Sequence, residues 1–511
     1  MKKQTNNWIT LVALALAMLV VGLDTTVLNV ALPTIAGDLG ADTTELQWIV
    51  TAYVLALAGA ILPAGVLGDR YGRKKLLLVG LGIFLIGSIG GALTESIDVL
   101  IGWRAVMGIG SAIIIPIVMA LIPLLFDDEE RPKAVGAIAA STSLGLPLGP
   151  IVGGYLLNHF HWSSIFWINV PVVLLAIVAV SVLISESRDP RAPRLDLPGA
   201  ALATAGIIAL VYGFVEAPQQ GWLSAQTLGL VLGGCVLLVA FVVWQTRAKA
   251  PLIDLGLFRN PRFVGGTVSI VLMSFVLYGL LFTLPIYLQS VRGNDALGTG
   301  LRLIPMMAGL VVAAAASKRV LTRVGVRLGV VAGMAVVSVS MAALARLTVD
   351  TSMIWIGTGL AAFGLGTGIA MTSAMDAVLG ALPRDQAGSG SGVLNALRQV
   401  AGALGVAILG SMLQSIYQQH LDGGMLNDLP APAAGAVKGS VVGAAGVAEK
   451  LGAAGPALQR MAGVSYTEAM STLLIVCAIA GVIAGGISWI ILRERAIPER
   501  TRERRVAPVQ E

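Results

Sequence analysis

The sequence predicts an all-α polytopic membrane protein, and three observations predict it. Of its 511 residues, 56% are hydrophobic and only 12% are charged, whereas a soluble domain carries about 25% charged residues. Apolar runs long enough to cross a hydrocarbon core, about 20 residues each, recur along nearly the whole chain. Glycine contributes 62 residues while aromatics make up only 5%, a composition suited to helices that pack backbone to backbone in lipid. A soluble enzyme, a disordered chain and a disulfide scaffold are excluded together. The two cysteines, Cys235 and Cys477, both lie within apolar runs.

Six runs precede residue 185, at about 8–32, 46–67, 76–94, 98–124, 134–157 and 164–184. The first follows Lys2-Lys3 and so resembles a leader. Its apolar stretch, however, continues through Asp24 to Ala36 with no small-x-small cleavage site, which makes it a first spanning helix. A Pro- and Arg-rich connector begins at Ser185, and two further runs stand at about 198–215 and 223–245. Another basic connector ends at residue 262, and six more runs follow at about 263–288, 300–317, 327–347, 353–379, 391–415 and 467–492. The expected organisation is a six-helix bundle over 1–184, a connector with two extra helices over 185–262, a second six-helix bundle over 263–492 and a basic tail over 493–511. Within the second bundle, residues 418–465 are rich in Ala, Gly and Val and contain Pro430-Ala431-Pro432. They predict a mobile outer loop with one short helix between Ala445 and Met461.

Basic residues orient these spans. With the N-terminus inside, about 26 of the 34 Lys and Arg fall in inner segments, the asymmetry expected of cytoplasmic loops. Both termini are therefore expected in the cytoplasm of a cell (plasma) membrane. The net charge of +6 reports topology, not a nucleic-acid partner.

Four segments carry chemistry. Asp24 sits mid-way through the first span, where a charge costs about 2.5–3.5 kcal/mol on insertion scales and so lines a cavity or meets a partner. The three histidines, His159, His161 and His420, fall in predicted outer loops, so a proton carrier within the bilayer must be a carboxylate. Arg104, in Gly102-Trp103-Arg104-Ala105-Val106-Met107-Gly108, is the basic counterpart in the fourth span. The loop after the second span reads Gly65-Val66-Leu67-Gly68-Asp69-Arg70-Tyr71-Gly72-Arg73-Lys74-Lys75. Here Asp69 opens a tight turn, Gly72 permits the bend, and Arg70, Arg73 and the lysines hold the inner side. In the fifth span, Ala137, Ser141, Gly145, Gly149 and Gly153 recur every four positions, beside Gly136, Pro147, Pro150 and Gly154. That face suits close helix contact, and the prolines are expected to bend the helix. No P-loop, nucleophile elbow or paired metal-ligand spacing appears in the sequence, which argues against an enzyme and against a metal.

Together these segments closely resemble the major facilitator superfamily, in its fourteen-helix drug:proton antiporter branch. The Gly65–Lys75 loop matches the signature between helices 2 and 3. Gly136 to Gly154 matches the fifth-helix pattern found chiefly in antiporters. Arg104 with Gly108 fits the helix-4 motif linked to proton coupling, and Asp24 fits the helix-1 acidic motif. In the second half, Lys318 to Arg327 keeps Arg323 and Gly325, but Thr322 stands where Asp69 would.

The resemblance implies two six-helix bundles that rock around a site near the midplane, with no cofactor and the proton gradient as energy source. Asp24 and Arg104 would couple protons. The candidates to line a substrate cavity are Asn29, Tyr53, Tyr278, Tyr287, Gln289, Met306, Met371, Asn395, Arg398 and Gln399, since aromatic and Met side chains adapt to varied apolar ligands. The expected function is proton-driven export of small amphipathic drugs or toxic compounds across the membrane. The alternatives are a dedicated exporter of one metabolite or antibiotic in the same fold and, less favoured by the fifth helix, a proton-coupled uptake symporter.

Overall fold

The first helix, α1 (Lys2–Leu39), continues through both Asp24 and Pro33, because neighbouring helices cover the polar group and the freed carbonyl. The computed structural model describes residues 2–127, 130–188, 196–249, 251–382, 387–421 and 423–492. The tail over 493–511 and part of the basic connector after Arg188 lie outside the described residues.

Five helices follow α1 in the first bundle: α2 (Thr43–Tyr71), α3 (Arg73–Leu93), α4 (Ile97–Leu125), α5 (Arg131–His159) and α6 (Ser164–Leu183). Helix α2 starts with a full capping box, in which Asp42 accepts from the Glu45 N–H and Glu45 reaches back to the Asp42 N–H. This satisfies two of the orphan donors of a helix start. Helix α1 packs along α5, and α4 lies between α2 and α3.

The inserted pair, α7 (Leu197–Gln220) and α8 (Ala225–Gln245), forms a hairpin. Asp196 ties its base together, accepting from the Gly199 N–H, Trp244 Nε1 and Gln245 Nε2, each within 2.9 Å. At the other end α7 touches both bundles. Trp48 donates to Glu216 at 3.2 Å, Gln219 donates to Asp42 and Thr44, and Trp222, just beyond α7, donates to Ser415.

The second bundle comprises α9 (Pro261–Ile286), α10 (Ala296–Ser317), α11 (Thr322–Leu344), α12 (Met353–Ala381), α13 (Ala387–His420) and a final helix over Gly455–Ile491. Between Ile304 and Leu344 the helical conformation is interrupted at Gly325. Gly325, at φ 77°, breaks the two expected spans apart in direction without a loop between them. Among the described residues thirteen helices are long and apolar enough to cross a membrane. Helix α5, 29 residues long, stands where the fifth of the fourteen expected spans lies.

The predicted outer loop departs from expectation. Three short helices, α14 (Gly423–Asn427), α15 (Ala431–Gly439) and α16 (Val441–Lys450), precede the final helix, α17 (Gly455–Ile491), which begins about twelve residues earlier than its apolar run. Helices this short are marginal alone, and packing holds them. Val437 and Ala444 are fully buried, Tyr417 donates to the Val437 carbonyl and Gln414 to the Lys438 and Gly439 carbonyls.

Several contacts join the two bundles at the predicted outer end. Gln289 donates to the Val30 carbonyl at 2.8 Å, Gln47 to the Val406 carbonyl at 3.3 Å and Thr43 to the Gly439 carbonyl at 3.0 Å. Asn158 donates to Asp295 at 2.6 Å. A Cβ on Gly154 or Gly300 would run into the opposing backbone, of Leu297 and of Pro150 respectively. The outer ends of α5 and α10 thus meet at backbone distance.

Candidate functional site

Asp24 and Arg104 meet inside the first bundle. The Arg104 guanidinium donates to Asp24 Oδ2 at 2.7 Å, and the residues are only 5% and 1% exposed. Three further contacts hold the arginine: its Nε donates to the Ile49 carbonyl at 3.3 Å, Nη1 lies 3.8 Å from the Met107 sulfur, and the Tyr53 ring covers its face. Tyr53 is fixed in turn by a 2.8 Å hydrogen bond from its hydroxyl to Ser111. Helices α1, α2 and α4 each contribute, so the bundle's packing sets the geometry.

A buried pair of this kind costs desolvation on both sides, which good geometry offsets. Loss of either charge would strand the other, while the carbonyl, sulfur and ring contacts of Arg104 would remain.

The glycine face of α5 packs against α1 beside this pair. A Cβ on Gly145 would overlap the Gly22 backbone, one on Gly149 the Thr26 hydroxyl, and one on Gly153 would press on Val27. Thr26 uses that proximity to donate to the Gly145 carbonyl at 2.8 Å. Pro150 is buried and its carbonyl faces Gly300. Helix α5 nevertheless runs as one element from Arg131 to His159.

In the predicted inner loop Asp69 and Arg73 form an ion pair at 2.7 Å across the junction of α2 and α3, and the Arg70 guanidinium lies 5.8 Å from the Tyr71 ring centroid. Gly72, at φ 116°, makes the turn between α2 and α3, where a Cβ would strike the Glu186 carboxylate. Gly65 has open space around it, with Pro116 at ordinary contact distance. Glu186 accepts from the Lys74 and Lys75 N–H groups at 3.1 Å, placing an anion on the N-terminus of α3, where the helix dipole favours it. The Arg73 N–H donates to the Ser187 carbonyl at 2.9 Å. The loop is therefore clamped by the segment after α6, a partner that its own sequence does not announce.

The ten cavity candidates are scattered. Tyr53 belongs to the Arg104 site. Asn29 donates back to the Thr25 carbonyl in its own helix. Gln289 bridges the bundles. Tyr278 donates to Gln399 at 3.2 Å, next to half-buried Arg398, whose Nε has no hydrogen-bond partner. Asn395 and Met371 are half-buried. Tyr287 and Met306 are fully buried. The Tyr287 hydroxyl donates to the Thr348 carbonyl, and Met306 packs at the crossing with Gly364. Residues missing from the sequence-based set are Ile49, Met107, Ser111 and Glu186. The signal for Ser111 was its spacing of one heptad from Arg104 on α4; a carbonyl such as that of Ile49 leaves no signal in sequence.

Two helical bundles closed on each other at one end, with a buried ion pair inside one of them, define a secondary membrane transporter. The chain belongs to the major facilitator superfamily: residues 14–406 match the description of that family. It is 34% identical over 409 residues to the tetracenomycin C resistance and export protein of Streptomyces glaucescens, covering 80% of this chain and 76% of that one. It is 36% identical over 413 residues to a puromycin resistance protein of Streptomyces alboniger, with 80% and 82% covered. It is 32% identical over 490 residues to the multidrug efflux pump LfrA of Mycolicibacterium smegmatis, with 93% and 95% covered. Its fold is similar to that of a bacterial homologue of the lysosomal transporter Spinster in an inward-facing conformation, with TM-score 0.63 at 19% identity, covering 95% and 97% of the two chains.

Proposed function

We propose that this transporter is a proton-driven antiporter that exports amphipathic, cationic or neutral toxic compounds, with both termini in the cytoplasm. The observation that carries the reading is the buried Asp24–Arg104 pair. Asp24 would take a proton from the outside and release it inside, and the loss of its charge would free Arg104 from that partner without unseating it. The neutral contacts between the bundles at the outer end belong to a state closed on that side. Opening them while the inner loop engages would give the opposite state, as alternating access requires. The relatives named for drug and antibiotic resistance support export. Two of them are named for one antibiotic each, which favours a dedicated exporter as the second reading.

Reconstitution in proteoliposomes tests the proton role. Asp24→Asn is expected to insert and fold but to lose export driven by a pH gradient. Export at the wild-type rate would remove Asp24 from coupling. Competition among several resistance compounds separates a broad exporter from a dedicated one.

A further inference from the structure

A second unusual arginine lies far along the chain, at the predicted inner end of the second bundle. Gly325 turns the chain, and two residues later Arg327 projects onto α17, where its guanidinium carbon lies 3.6 Å from the centroid of the Trp489 ring. Its Nε is buried and donates to nothing. Among the described residues no carboxylate forms an ion pair with it. Around it the surface is apolar and open, with Leu328 and Trp489 47% exposed and Ile490 68% exposed. Arg323, four positions earlier, is exposed as well.

These facts do not suit a simple solvated arginine. A guanidinium at membrane depth pairs with an anion or with carbonyls, and a buried N–H without an acceptor costs about 1–3 kcal/mol. Stacking on an indole satisfies one face of the guanidinium and leaves the in-plane N–H fork, whose geometry matches a phosphate. The first bundle shows what the corresponding turn requires. There Gly72 makes the bend, and Glu186 supplies the anion at the start of α3. Near Gly325 the exposed surface is apolar, with Leu328, Trp489 and Ile490 on it, and a Trp at the predicted inner end of a span suits the interfacial belt.

We propose that Arg327 and Trp489 form a binding site for the phosphate of an anionic phospholipid of the inner leaflet, its acyl chains lying along Leu328 and Ile490. Basic pockets between helices on the cytoplasmic side are suited to such headgroups. The site lies on α11 and α17, apart from the Asp24–Arg104 pair on α1 and α4.

Native mass spectrometry of the purified full-length transporter tests this, titrating phosphatidylglycerol against phosphatidylcholine. The wild type is expected to hold its tightest phosphatidylglycerol about tenfold more firmly than Arg327→Gln, with phosphatidylcholine unchanged. Trp489→Leu, which keeps the charge, is expected to weaken it about fivefold, the scale of an exposed to partly buried cation–π contact. Arg327→Lys keeps the charge and guards against a folding artefact; it is expected to bind between the two. Equal phosphatidylglycerol binding by wild type, Arg327→Gln and Trp489→Leu would overturn the site. Displacement of the lipid by millimolar inorganic phosphate would overturn its assignment to a lipid.

Discussion

Tyr53 lies against the face of Arg104, its ring centroid 4.4 Å from the guanidinium carbon, while its hydroxyl is held by Ser111. The tyrosine therefore supports the arginine from α2 while the carboxylate holds it from α1. A desolvated cation–π contact is worth about 2 kcal/mol, and a neutral hydrogen bond about 1 kcal/mol. Tyr53→Leu is accordingly expected to slow gradient-driven transport about tenfold or more, and Tyr53→Phe about fivefold or less. Initial rates in proteoliposomes over a range of pH check both. Equal loss in the two variants would assign the role to the hydroxyl.

Removing one member of the buried pair leaves the other uncompensated, at a cost of about 3–5 kcal/mol. Arg104→Gln is expected to lower the thermal unfolding midpoint of the purified protein clearly. The double variant Asp24→Asn/Arg104→Gln should recover more than half of that loss, because no charge is then stranded. Additive losses would show that the two side chains do not interact in solution as they do at 2.7 Å.

The α1–α5 crossing tolerates no added bulk. Gly149→Ala places a methyl group against the Thr26 hydroxyl and displaces its bond to Gly145, an overpacking cost of about 1–3 kcal/mol. Gly65→Ala, where space is open, is expected to be nearly neutral. Expression and thermal stability of the two variants should separate accordingly.

At the outer end, the Asn158 amide and the Gly298 N–H hold the Asp295 carboxyl below the usual carboxylate range. A depressed value means that the stabilisation is present above the ordinary carboxylate pKa and fades only as pH falls through the lowered one. This contact should therefore be indifferent to pH between about 5 and 8, and weaken only below about 4. Asp295→Ala should loosen it at neutral pH, read as faster labelling of a cysteine placed at half-buried Leu297, which packs on Gly154 at the same crossing, with a membrane-impermeant maleimide.

Periodicity and composition carried most of the architecture, because a span needs a long apolar run. The chemically loaded positions were legible as well. Asp24 and Arg104 stand out because charge in a span is rare, and the α5 glycines do because their four-residue spacing leaves few alternatives to a helix contact. What stayed hidden was direction. Tyr53 reads as a cavity residue by type, yet it faces Arg104; Tyr287 reads the same way, yet its hydroxyl reaches the Thr348 carbonyl. The helices between Ala431 and Lys450 were also hidden, since Ala- and Gly-rich segments of that length are helical only through what they pack against. Glu186 was invisible as a cap because the approach of α6 to α3 is a property of the bundle.

Gln289 to Val30, Gln47 to Val406 and Thr43 to Gly439 share one property: each joins a neutral side chain to a carbonyl. Breaking them separates no charge. A membrane potential does work on a moving elementary charge, about 2.3 kcal/mol per 100 mV, and none on these three bonds. Voltage therefore has no lever on this part of the outer closure; in the proposed cycle its influence would enter through the proton and any charge on the cargo.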